Sequence, residues 1–216
     1  MAANKLVWGI STRLFHWLLV VVFTVSMVTG LLADIDLMEW HLISGYGVLG
    51  LLIFRLLSGI FGRDYGRFKC FPLSPRSILA YIRGNQQFVG HNPLGSMMVV
   101  VLLLSLIAQV FSGLMTTDEI YIEGPWVAWV SDSWISFASM IHSQNYWLLL
   151  ILVGLHITAV FFYLLIKRQN LVVPMITGKK ELLEQQQAAV AMSPIRLLVL
   201  IIVTVVICRA MIVFYP

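Results

Sequence analysis

The chain has 216 residues, 60% of them hydrophobic and 11% charged, with a net charge of +4 and a mean hydropathy of +0.91. That composition excludes an ordinary soluble domain and leaves room for one bundle of four or five membrane-spanning helices. The positive charge does not call for nucleic acid, because the bases sort along the chain as membrane topology sorts them.

In chain order, the N-terminal MAANKLVWGISTR is short and basic. No small-residue cleavage site accompanies the first apolar segment, which is therefore expected to stay as an anchor. The first spanning helix is predicted from about Leu14 to Leu32, with His16 in its opening turn and Trp17 at the interface. The link ADIDLMEW leads to a second helix, predicted from near His41 to about Phe61. The connection from Gly62 to Gly90, punctuated by Gly and Pro, reads as loop plus a short surface helix. Asn92-Pro93 caps a third helix that ends near Met115. Trp126, Trp129, Val130 and Trp134 then recur at helical spacing after Pro125, which predicts a helix lying in the interface, within an aromatic belt. The fourth helix lies in IHSQNYWLLLILVGLHITAVFFYLLI and is closed by Lys167-Arg168. Ser193-Pro194 caps a fifth, from Ile195 to about Phe214. No internal repeat stands out. The cysteines, Cys70 and Cys208, are far apart in sequence and form neither a disulfide framework nor a CxxC or covalent haem-attachment motif.

Orientation follows from charge. Lys5, Arg13, Arg63, Arg67, Lys69, Arg76, Arg83, Lys167, Arg168, Lys179, Lys180 and Arg196 fall on one side. The opposite links carry Asp34, Asp36, Glu39, Asp118, Glu119, Glu123 and Asp132, and no base. The positive-inside rule makes the N-terminus cytoplasmic and the C-terminus external. Arg209, near the outer end of the fifth helix, snorkels to the headgroups.

Four histidines then fall at two depths. His142 and His156 are fourteen residues apart on one helix, so they lie within about 40° of each other and about 21 Å apart along the axis. His41 opens the second helix at the outer end, as His142 opens the fourth; His16 lies near the depth of His156. The expected pairs are His41 with His142 and His16 with His156. Paired neutral imidazoles from facing helices suit axial ligation of haem iron in a bundle core. With both axial positions filled, electron transfer is favoured over oxygen activation. Arg55 repeats the fourteen-residue spacing after His41, so it projects from the same face at the inner depth. A guanidinium buried there needs an anion, and a haem propionate supplies one. Gly45, one turn after His41, opens the ligand face to a flat macrocycle. Gly30, Gly59, Gly113 and Gly154 either do likewise or, more simply, allow close helix packing. His91 has no partner at its depth and precedes a cap; it reads as an interfacial or capping residue before a propionate or quinone contact.

RLFHW around His16, HLISGYGVLGLLIFRLLSG around His41 and Arg55, GHNPLG at Gly90–Gly95, the His142–His156 pair and NLVVPMITGKK at Asn170–Lys180 together resemble the bacterial di-haem cytochrome b family. Within it the chain is most similar to the b-type cytochrome subunit of nickel–iron hydrogenases, over about residues 5–180. The resemblance implies two haem b groups ligated by His16, His41, His142 and His156. It further implies a bacterial inner-membrane location, and electron exchange between a periplasmic partner, a hydrogenase or a c-type cytochrome, and the quinone pool. The expected architecture is an all-α integral membrane protein of five transmembrane helices. Residues 1–192 form a four-helix di-haem core, and residues 193–216 add a helix beyond it.

Two other classes compete. A metal-ion or proton transporter would use the same histidines but needs intramembrane carboxylates or a polar path, and the first four predicted helices contain no Asp or Glu. A structural anchor for a periplasmic oxidoreductase would hold haems only to stabilise the bundle. The seven outer acids exceed what topology requires, and suit either loop solubility or steering of a basic partner.

Overall fold

The computed structural model describes residues 2–84, 88–118 and 122–213. Strand β1 (Ala2–Leu6) is followed by helices α1 (Ile10–Leu32), α2 (Ile35–Phe61), the short α3 (Pro75–Ile82), α4 (Pro93–Gly113), α5 (Asp132–Leu165) and the short α6 (Val172–Thr177). Strand β2 (Lys179–Leu183) and helix α7 (Pro194–Val213) complete the chain. Helices α1, α2, α4, α5 and α7 are long and apolar enough to cross a membrane. Glu119, and the expected end of the fifth helix at Phe214, lie outside the described residues.

The caps account for where the helices begin. Asn92 Oδ1 accepts from Gly95 N at 2.7 Å with Pro93 in the first turn, and Ser74 Oγ accepts from Ser77 N ahead of α3. Three helices start earlier than expected, α1 by one turn, at Ile10 rather than near Leu14, and α2 and α5 by more. Asp34 caps α2 through Asp36 N, so His41 lies two turns inside the helix rather than at its mouth. Helix α5 begins at Asp132, whose acid suits the positive end of the helix, and runs 34 residues. At about 51 Å it outreaches the roughly 30 Å hydrocarbon core, and His142 lies ten residues in. This early start replaces the expected interfacial tryptophan helix: Val127–Trp129 is a single 3-10 turn, and Trp134 rides on the first turn of α5.

Helix α2 is the hub. It packs on α1, α4 and α7 and is the most enclosed of the five. Its Val48, Leu52 and Phe54 join Phe15, Leu103, Leu106, Leu149 and Leu200 in the apolar core. Helix α5 packs along α4, with nothing comparable against α1 or α2. Beneath the basic end, β1 and β2 pair antiparallel from Ala2↔Leu183 to Leu6↔Lys179, a two-stranded sheet absent from the sequence expectation. Lys5 Nζ ties it down by donating to the carbonyls of Leu183, Glu184 and Gln186.

Candidate functional site

The structure brings the four histidines into two pairs from different helices. At the end of the bundle bearing the acidic links, His41 of α2 faces His142 of α5, with ring centroids 6.1 Å apart and ring planes at 86°. Toward the basic end, His16 of α1 faces His156 of α5 at 6.4 Å and 57°. A metal–imidazole bond of about 2.0 Å with about 1.1 Å from nitrogen to ring centre would put two rings on opposite sides of one metal about 6.2 Å apart. Both pairs fit that spacing. Val48 and Leu149, each seven residues past its histidine and midway between the two depths, are 4% and 1% exposed and fill the space between the sites with apolar side chains.

The acidic-end rings are braced alike. His41 Nδ1 lies 2.8 Å from the Ser26 carbonyl of α1, and His142 Nδ1 lies 2.9 Å from the Gln109 carbonyl of α4. A carbonyl acceptor fixes the proton on Nδ1 and leaves Nε2 free to ligate, the arrangement metal-binding imidazoles use. Four residues after each carbonyl stands a glycine. A β-carbon at Gly30 would lie 2.7 Å from His41 Cε1, and one at Gly113 would lie 2.7 Å from His142 Cε1. These glycines seat the rings. Gly59 instead accommodates the Phe68 ring, and a β-carbon at Gly154 meets nothing within 4 Å, so close packing is not what Gly154 provides. Gly45, on the ligand face of α2, also has open space where a β-carbon would be. At the basic end His16 Nδ1 is buried with no hydrogen-bond partner. Free ligating nitrogens, ring spacing and a bare face at Gly45 fit a flat metallated macrocycle.

A family model described as prokaryotic cytochrome b561 matches residues 7–178. The chain belongs to the prokaryotic cytochrome b561 family. It is therefore a multi-pass membrane b-type cytochrome of electron transfer, in a family that binds haem b. No curated protein and no solved structure matches it. In this b561 cytochrome the family match ends before β2, so α7 lies beyond it.

Around the histidine pairs the structure places Arg55 and His91, which the sequence singled out, and Asp64 and Tyr163, which it did not. Arg55 is 4% exposed, between the rings of Phe68 and Phe15, and donates through Nη2 to the Gly66 carbonyl at 2.8 Å. Asp64, in the loop after α2, acts electrostatically on this guanidinium, and its Oδ1 accepts from Gly66 N at 3.0 Å. Asp64 Oδ2 also accepts from Gly9 N and Thr12 Oγ1, each at 2.7 Å. It thus caps α1, whose own cap residue has no side chain. His91 is boxed by Trp8 and Phe71 at 4.6 and 5.1 Å, its Nδ1 buried without a partner, and it takes no part in either pair. Tyr163, two turns beyond His156, accepts from Asn92 Nδ2 and bonds the Tyr81 hydroxyl, fastening α3 to the basic end. The brace itself did carry a signal: Ser26–Gly30 reads SMVTG and Gln109–Gly113 reads QVFSG.

Proposed function

We propose that this cytochrome carries electrons across the bacterial inner membrane between a periplasmic redox protein and the quinone pool, through two haem b groups. His41 and His142 hold the one nearer the periplasm; His16 and His156 hold the other. The observation that carries the reading is the pair of imidazole couples, at 6.1 and 6.4 Å, formed between α5 and two other helices. His41 with His142, and His16 with His156, would hold the haems, which would supply one-electron iron couples when bound. The chain's own residues orient the imidazoles, exclude water through Val48, Leu49, Leu52 and Leu149, and keep the two sites at fixed depths. Arg55 spends one N–H on Gly66 and has others for a propionate of the basic-end haem. Gly45 leaves room beside His41 for the ring edge. The basic end faces the cytoplasm, and the acidic links face a nickel–iron hydrogenase or c-type cytochrome. Helix α7, beyond the four-helix core, is an accessory element. Among the described residues no three His, Cys, Asp or Glu side chains cluster, so the donors suit a macrocycle that brings its own equatorial nitrogens better than a transported ion.

Pyridine haemochrome assay of the purified chain should give two haems b per polypeptide. His41→Ala and His142→Ala should remove one spectral component, and His16→Ala and His156→Ala the other. A single haem, or a common component lost with His41→Ala and His16→Ala, refutes the pairing.

A further inference from the structure

His142 has something His41 lacks. Both rings lean on a carbonyl of the neighbouring helix, but at His142 the residue supplying the carbonyl also brings a side-chain amide. Gln109 Nε2 donates to the His142 carbonyl at 3.1 Å and stands 3.3 Å from its Nδ1. Asn145 decides which end of that amide faces the ring. Its Nδ2 donates to Gln109 Oε1 at 2.8 Å and to the Ser105 carbonyl at 2.9 Å, while its Oδ1 accepts from Ser105 Oγ at 2.9 Å. Both N–H groups of Asn145 meet acceptors only when Gln109 turns its oxygen toward Asn145 and its NH2 end toward His142. Since Nδ1 already gives its proton to the Gln109 carbonyl at 2.9 Å, the amide is the positive end of a dipole held against the ring. On the other side of the site Ser26 occupies the place of Gln109 and has no amide to offer.

The Nδ1–H to carbonyl bond pushes electron density onto the imidazole and, through Nε2, onto a bound iron, which favours its oxidised state. A positive dipole end beside the ring works the other way, and in a low-dielectric interior it is little screened.

We propose that Gln109 and Asn145 are positioning residues that hold an amide NH2 against His142 and thereby raise the reduction potential of the acidic-end haem. The proposal rests on the reading that His41 and His142 ligate that haem. It makes the two axial ligands unequal, with His41 the stronger electron donor and His142 the tempered one.

The test is a potentiometric titration of the full-length, haem-loaded protein, with the acidic-end component identified as the one lost in His142→Ala. Gln109→Leu and Asn145→Leu should each lower that component's potential and leave the basic-end component where it was. The double variant should add little to either single one, because both act through one amide. Gln109→Glu, similar in shape, replaces the NH2 with a carboxyl oxygen; it should lower the potential more than Gln109→Leu, and it serves if the leucine variant fails to accumulate. An unchanged or raised potential at full haem content overturns the proposal, as does an equal shift of both components. Retention of both components in His142→Ala would overturn the ligation itself, and the proposal with it.

Discussion

At Gly30 a β-carbon would stand 2.7 Å from His41 Cε1 and 2.8 Å from Nδ1; at Gly113 the same distances to His142 are 2.7 and 3.0 Å. Neither ring can retreat without losing its carbonyl, so Gly30→Ala and Gly113→Ala should each lower haem content from two toward one per chain. Haem-to-protein ratio and loss of a single spectral component read this directly. His91 gives a pH-dependent prediction. Burial first, then the Arg55 guanidinium and the His156 imidazole, push its pKa from 6.5 down to about 4. Above pH 6.5 it is neutral whether the chain is folded or not. Between 6.5 and 4 the unfolded chain takes a proton that the folded one refuses, so stability falls as pH falls, by up to about 3 kcal/mol, and levels off below 4. Thermal melts across that window should show the slope in wild type and a flatter profile in His91→Gln. The pairing of the four histidines by depth was legible from spacing alone, because helical rise converts residue number into depth. Their braces were not, because any residue type supplies a backbone carbonyl, and the short SMVTG and QVFSG match gains meaning only once each is seen beside a histidine.

Two of the four histidines share the fourth helix, yet the structure centres on α2. Hydropathy misleads here: α5 is the more apolar of the two and yet the less enclosed. What marked α2 was its small and polar content, Ser44, Gly45, Gly47, Gly50, Ser58 and Gly59, which lets neighbours approach closely in a membrane. Gly47 meets Val22 of α1, and a β-carbon at Gly50 would already touch Cys208 Sγ of α7 at 3.7 Å. Gly50→Leu should therefore push α7 off the bundle at a cost of about 1–3 kcal/mol. Both haem components should survive, since α7 bears no ligand; a lower midpoint in thermal melts with an unaltered spectrum checks this. The early starts of α2 and α5 were missed for a physical reason. Acids at Asp34, Asp36 and Asp132 look like loop residues by hydropathy but are favoured at helix N-termini.

Across the whole molecule, charge and the two histidine pairs share an axis. Asp34, Asp36, Glu39, Asp118, Glu123 and Asp132 are all exposed at the end that holds His41 and His142. A basic redox partner is attracted there at a range set by ionic strength. Its bimolecular electron-transfer rate should fall steeply with added salt, and changing Asp36, Glu39 and Glu123 to their amides should remove most of that slope. A flat salt profile would leave the acids as solvated loop residues. That the acids gather at one end of the bundle was legible from their order in the sequence. The packing of α5 along α4, apart from α1 and α2, was not, since no one segment encodes a gap between helices.

The pairing of Ala2–Leu6 with Lys179–Leu183 has a consequence in time. A ribosome delivers the first strand almost at once and the second only after four spans have been made. Until then nothing ties the start of α1 to the chain that follows α5, the two helices bearing His16 and His156. The sheet is thus a latch that closes only after every helix carrying one of the four histidines has been made, with α7 still to follow.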